Sequence, residues 1–325
     1  MVILEFWLNF TPIIIDNNRM TLTEGNKNVT LDRAKFFQSV QVWPLTDDLN
    51  YSGWLSNFKT KKEKEIACHI LDFFKYYPQK MVDQMLLTSI ERAGHYLSKT
   101  LPDWKHDDFF DRCYYSYIPG ENPHTTDSGH IFSRKMRDVL EIPEARIVDF
   151  VEIPKILEGL SNPTPIILVD DFVGSGSQCY NAWNLIKNDY NHKTLKEICE
   201  SKGHIFIYAP LIVNLSGYEI LTKTCTSLIC TPCHILGPEY NLFNYECYCW
   251  NGDDKLYKDG VNLILKKSHE LGIPSTGGNH TQDEKGFGMQ GLALKFEHGA
   301  PDAVPSFFYW CHDKWIPLFK KTYTR

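Results

Sequence analysis

Pro165-Ile166-Ile167-Leu168-Val169-Asp170-Asp171-Phe172-Val173-Gly174-Ser175-Gly176-Ser177-Gln178 is the stretch that decides how this chain folds. The apolar run at 166–169 has the pattern of a strand buried on both faces, as in a parallel sheet. Two acids follow at once, then a loop of glycine and serine. Beyond the loop, Cys179, Ala182, Trp183 and Ile186 share one helical face. Strand, short loop and helix form the repeating unit of an α/β sheet, and ligands bind such sheets outside the carboxyl ends of their strands. The acids and the loop fall at that position.

The residue types suit one kind of ligand. Adjacent carboxylates at a strand end can accept hydrogen bonds from two hydroxyls of a sugar. The backbone N–H groups of a small-residue loop that opens a helix favour a phosphate. Gly174 and Gly176 let the backbone approach closely and tolerate positive φ, while Ser175 and Ser177 add hydroxyl donors. An Asp-Asp pair alone reads as a helix cap, and Gly-Ser-Gly alone reads as a turn. The order of apolar strand, two acids, two linking residues, small polar loop and helix is far more restrictive than either.

This segment resembles the phosphoribosyl diphosphate binding motif of type I phosphoribosyltransferases, in which a four-residue apolar strand leads into two acids and a Thr- and Gly-rich loop. The resemblance implies an α/β fold with a mainly parallel sheet of the phosphoribosyltransferase type. It also implies that Asp170 and Asp171 hold the ribose hydroxyls and Mg2+, and that Val173, Gly174, Ser175, Gly176, Ser177 and Gln178 line the 5-phosphate. The reaction it implies is displacement at the anomeric carbon of phosphoribosyl diphosphate. One position departs from the pattern: members acting on 6-oxopurines carry an Asp where this chain has Gly174, which argues against purine salvage.

Upstream, residues 113–118 read as another strand, followed by the polar loop 119–129 and a helix near 131–140 with Phe132, Met136, Val139 and Leu140 inward. Asp127 or Ser128 suits the helix N-cap. By chain position in the resembled family, Gly120, Asp127, Ser128 and Gly129, with Arg134 on the following helix, would contact the diphosphate. Glu121 and His124 are candidates for acid or base. The plain alternative is a long polar connection whose cations face solvent.

Further strands are expected at 146–151, 204–209 and 227–230, and helices near 177–187 and 218–223. Ahead of this α/β core, 61–100 has helical spacing, with one stripe of Ile66, Ile70, Phe74 and Tyr77 and another of Val82, Met85, Leu86, Ile90 and Leu97. Tyr77-Pro78 separates the two. After 236 a helix at 259–271, a Gly-rich polar loop at 275–291 and extended stretches at 292–296 and 306–310 are expected. The division is an N-terminal extension and helical region (1–105), an α/β core (106–236) and a mixed C-terminal extension completing the core (237–325).

A chain of 325 residues, 43% apolar, has material for a large core, and its net charge of −6 excludes generic charge-driven binding to nucleic acid. Residues 1–15 are mostly apolar, but Glu5, Asn9 and Pro12 interrupt them and no basic lead precedes them. That fits neither a secretory signal nor a membrane span, so no membrane is expected and the cytoplasm is the default location. The stretch reads as an extension packed on the body, with Met20 as an alternative start. Ten cysteines without a signal fit a reducing compartment. Cys225, Cys230, Cys233, Cys247 and Cys249 leave two readings open, a zinc site or ordinary buried thiols. Phe307, Phe308, Tyr309, Trp310 and Trp315 would serve as core or as a stacking platform for a base.

A looser similarity extends to phosphoribosyltransferase-like proteins of bacterial antiphage defence loci, including those that accompany retrons. It rests on Gly120-Glu121, Asp127-Ser128-Gly129 with Arg134, the Asp170 to Gln178 form of the motif, and Pro305, Trp310, Trp315 and Pro317-Leu318-Phe319 near the end. That similarity implies a glycosyl-transfer effector in which a reverse transcriptase and its RNA–DNA product are the partners. Two alternatives stay open: a non-catalytic nucleotide-sensing module, and a nucleotide N-glycosidase.

Overall fold

The computed structural model describes residues 24–45, 47–120, 128–185 and 192–321. The expectations for residues 1–15, Met20, Glu121, His124, Asp127 and Ile186 lie outside them. In chain order the N-terminal part contains α1 (Glu24–Ser39), α2 (Tyr51–Ser56), α3 (Lys61–Phe73), β1 (Lys75–Tyr77), α4 (Gln79–Thr100) and α5 (Asp108–Asp111). The α/β part contains β2 (Tyr114–Tyr117), α6 (Ser128–Asp138), α7 (Ile153–Glu158), β3 (Pro165–Val173), α8 (Ser177–Asn184), α9 (Leu195–Lys202), β4 (Ile205–Asn214), α10 (Leu215–Thr224), β5 (Leu228–Cys230) and β6 (His234–Leu236). The C-terminal part adds α11 (Asp254–Glu270) and β7 (Leu294–Phe296).

The sheet runs β2-β3-β4-β5, with β6 on the far half of β4, and every pair in it is parallel. Tyr115 also bridges Ile147 in parallel on the side of β2 away from β3. The chain therefore leaves β2 through α6 to the outer edge, then returns through α7 to β3 on the other side. Strand order reverses between β2 and β3, and in an open α/β sheet that reversal opens a crevice at the carboxyl ends of the strands.

Both faces of the sheet are covered, which explains its unbroken apolar strands. Ile167, Val169, Ile207, Ala209 and Leu211 pack in one core with Val82, Met85 and Leu86 of α4 and Phe132 and Met136 of α6. Ile166, Leu168, Phe206, Tyr208 and Val213 face the other core, with Ile153 and Leu157 of α7, Cys179, Ala182 and Trp183 of α8 and Ile198 of α9. The helices begin where the sequence provides caps: Thr60 with Glu63 forms a capping box on α3, and Thr194 with Glu197 forms one on α9.

The two ends of the described chain share the first of these cores. β7 pairs in parallel with β1, Lys75 to Leu294 and Tyr77 to Phe296. Trp54 and Phe58 from the N-terminal part meet Phe307, Phe308 and Trp315 from the C-terminal part, with ring centroids 5.4 to 6.1 Å apart. Phe307, Phe308 and Tyr309 are fully buried, so they form core.

Four local expectations change. The stretch 146–151 is not a strand: 3-10 turns at Glu144–Arg146 and Phe150–Glu152 leave Ile147 as a single bridge. The first helical stripe stops before Tyr77, because Pro78 disfavours helical backbone in the residue before it and 75–77 pairs as β1 instead. On α6, Phe132 and Met136 are inward but Val139 is 41% exposed. The end stretch 306–310 contains a 3-10 turn, Ser306–Phe308, rather than extended chain. No helix among the described residues is long and apolar enough to cross a membrane.

Candidate functional site

The crevice between β2 and β3 is closed below by a backbone and side-chain tie. The N–H of Ile118 donates to the Val169 carbonyl, and Gln178 Nε2 donates to the Pro119 carbonyl at 2.9 Å. Gln178 thus spans from the first turn of α8 to the loop after β2, beside Gly120. Its amide is used in holding the two strand ends together.

Above this tie stands the phosphate-type loop. Gly176, with φ +79°, turns the chain into α8 and provides no capping side chain, so the first-turn N–H groups rely on the loop itself. Ser175 Oγ and Ser177 Oγ lie 2.9 Å apart and both residues reach solvent. Gly217 on α10 supports the loop from behind: a Cβ there would lie 2.3 Å from the Gly174 carbonyl oxygen. Only glycine fits at 217 with the loop in this place.

The two acids at the end of β3 differ from each other. Asp170 is 5% exposed; its Oδ2 accepts from the Tyr208 hydroxyl at 2.6 Å and its Oδ1 from the Asp171 N–H at 2.9 Å. Burial pushes its carboxyl well above the usual range, and the neighbouring Asp171 charge pushes the same way. Asp171 is more open. Its Oδ1 accepts from the Phe172 N–H at 2.8 Å, and its Oδ2 meets His298 Nε2 at 2.9 Å. Burial alone would raise this carboxyl, but its hydrogen bond and electrostatic interaction with His298, helped by Asp170 and the Phe172 N–H, outweigh it and hold Asp171 below its usual value. Asp170 is thus held toward its neutral form and Asp171 toward its charged form.

This arrangement suits hydroxyls. Each oxygen of the pair already has one hydrogen-bond partner and keeps a further lone pair to accept another. Among the described residues, no group of three or more His, Cys, Asp or Glu is placed to hold a metal. Cys225, Cys233, Cys247 and Cys249 are buried in the apolar cores.

The loop after β2 is described only at its ends. Gly129 is buried against the Tyr117 ring, where a Cβ would lie 2.2 Å from Cδ2, so it seats the start of α6 on β2. Ser128 opens α6. Arg134 is 78% exposed and pairs with Asp138 one turn along at 3.1 Å. Val173, at the end of β3, is 4% exposed and packs in the second core.

Two residues of the cleft were not singled out from sequence. His298 stacks on Phe296, centroids 5.1 Å apart, and reaches Asp171 from the stretch after β7. Gln290 ends the Gly-rich stretch 275–291 and lies against Gly174. That stretch is pinned by buried Asp283, which accepts from the N–H groups of Thr276 and Lys285 while its carbonyl takes the Ser306 N–H. The glycines packed around 286–291 were the available signal of a close backbone approach.

No curated protein and no solved structure matches the chain. The PRTase-CE family model, by contrast, matches residues 51–321, which covers the α/β core together with both segments that complete the cleft. The chain belongs to this phosphoribosyltransferase-like family.

Proposed function

We propose that the crevice between β2 and β3 binds phosphoribosyl diphosphate or a closely related ribose phosphate, and that the protein transfers the phosphoribosyl group to an acceptor. The observation that carries this reading is the charged, hydrogen-bonded Asp171 at the strand end next to an uncapped helix start built of small residues. Asp171 accepts the ribose hydroxyls through its remaining lone pairs, with Asp170 and Tyr208 holding it in place from beneath. The N–H groups of Ser175 to Gln178 and the two serine hydroxyls receive the 5-phosphate.

Displacement at the anomeric carbon passes through an oxocarbenium-like state, so the protein's work is positioning and charge control rather than covalent chemistry. The negative charge of Asp171 would stabilise the cationic sugar. Bound Mg2+ would supply neutralisation of charge on the departing diphosphate, and Asp170 and Asp171 are the residues that would hold it. The similarity to antiphage proteins extends the reading to a defence effector. With a net charge of −6, such an effector meets nucleic acid through a partner such as a reverse transcriptase carrying its RNA–DNA product.

The test is diphosphate release from phosphoribosyl diphosphate and Mg2+, with wild type and the Asp170→Asn, Asp171→Asn double variant. Ligand binding that the double variant abolishes, with diphosphate released only by wild type, supports the transferase reading. Binding without release, under a panel of bases and nucleic acids, turns it into a sensing module; free base without diphosphate from nucleotides turns it into an N-glycosidase. Unchanged binding in the double variant defeats it.

A further inference from the structure

Gln290 is 6% exposed, yet its Oε1 is buried with no hydrogen-bond partner among the described residues. Buried polar atoms are nearly always paired, so a bare acceptor beside a binding crevice marks a place where a donor arrives from outside the fold. The backbone that carries this carboxamide is held on both sides. Gly291 N–H donates to the Lys285 carbonyl at 2.9 Å, and Asn241 Nδ2 holds the Met289 carbonyl at 3.1 Å, fixing the backbone on both sides.

Glycines make room for it. A Cβ on Gly174 would lie 3.1 Å from Gln290 Nε2 and 3.4 Å from its Oε1, and a Cβ on Gly288 would lie 3.2 Å from Nε2. Side chains at 174 or 288 would crowd the carboxamide, so the bareness of Gly174 and the presence of Gln290 are two sides of one arrangement. Gly174 itself lies between the acid pair and the serines of the loop, where the sugar of a bound ribose phosphate must rest.

We propose that Gln290 is a specificity-determining residue that reads the group on the anomeric carbon, and that this group is a nitrogen heterocycle of the nucleobase type. The proposal rests on the ribose-phosphate reading above. An orphan acceptor calls for an N–H or O–H donor; phosphate, diphosphate and carboxylate groups offer none at neutral pH. A carboxamide presents one acceptor and one donor at fixed spacing, which matches the adjacent donor and acceptor on the edge of a base. His298, delivered by the same C-terminal region and bound to Asp171 through Nε2, leaves its Nδ1 as a second buried polar atom there with no partner among the described residues.

The experiment compares ligands that share the ribose phosphate and differ in the base. The full chain is titrated calorimetrically with ribose 5-phosphate and with AMP, GMP, CMP and UMP, and the ratio of Kd values isolates the contribution of the base. Gln290→Leu is expected to leave ribose 5-phosphate within about 3-fold of wild type while weakening the preferred nucleotide about 10- to 100-fold. Gln290→Glu keeps the size but removes the donor, and is expected to change the ranking of the four nucleotides; it serves as the readout if the Leu variant does not fold. Equal weakening of ribose 5-phosphate and nucleotides, an unchanged ratio and ranking, or wild-type nucleotides binding no tighter than ribose 5-phosphate would each overturn the proposal. Wild type that binds no ribose 5-phosphate and no nucleotide overturns the ribose-phosphate reading itself, and this inference with it.

Discussion

The two walls of the cleft reach it by different routes. One wall, from Asp170 to Gln178, is contiguous in the chain: strand, acids, loop and helix follow one another and each is positioned by its neighbours. The other wall is Gln290 and His298, the latter 127 residues beyond the acid it pairs with, and it depends on β7 lying beside β1 and on the pinned stretch around Asp283. In the proposed reading the local wall carries the general chemistry of binding a sugar phosphate. The distant wall biases the charge of Asp171 and, by our inference, sets selectivity.

If this division is right, disturbing the support of the local wall should have the largest effect. Gly217→Val pushes side-chain atoms into the Gly174 carbonyl, so the loop or α10 must move. A stability loss of about 1–3 kcal/mol is expected, with at least tenfold weaker binding of ribose 5-phosphate, measured by denaturant unfolding and calorimetry. A variant of normal stability and affinity would show that the loop does not rest on α10.

Next in size is Tyr208→Phe, which strips a buried carboxyl of its donor. A loss of about 1–3 kcal/mol is expected from the unpaired oxygen of Asp170. Denaturant midpoints within error of wild type would mean that Asp170 finds another partner.

His298→Ala tests the distant wall. Asp171 is held below its usual value in the folded protein, so its contribution is present above the unfolded value of about 3.9 and is lost as pH falls through the folded value. Without His298, burial, which raises the carboxyl, is opposed only by Asp170 and the Phe172 N–H. The stability gap between wild type and variant should therefore be present above about pH 3.9 and close as pH falls through the folded value of Asp171. A gap independent of pH would show that His298 acts only by packing on Phe296.

The smallest effect is expected from Ser175→Ala. The residue reaches solvent and among the described residues its hydroxyl meets only Ser177, so stability should change by no more than about 0.5 kcal/mol. Binding of a 5-phosphate should still weaken by about 3-fold, which separates a binding role from a structural one.

The same contrast explains what the sequence made legible. The apolar run at 166–169 and the acids after it pointed to a parallel strand with a site at its end, because strand burial and strand-end chemistry are both local in the chain. The helical stripes of α4 were legible for the same reason: Val82, Met85, Leu86, Ile90 and Leu97 recur at helical spacing and are all buried. The stretch at 146–151 misled because its apolar residues satisfy turns, with one bridge to β2. The inequality of Asp170 and Asp171 was hidden, since it arises from Tyr208 on the neighbouring strand and His298 on a remote one. Gln290 was hidden too: nothing in a Gly-rich stretch reveals which sheet edge it will lie against.

The measurement that tests the central claim most directly is a structure of the protein with ribose 5-phosphate bound. The account predicts the phosphate on the N–H groups of Ser175 to Gln178, with a ribose hydroxyl within about 2.7–3.2 Å of an Asp171 oxygen. Ribose 5-phosphate bound elsewhere, or in the crevice with its hydroxyls turned away from Asp171, would contradict it.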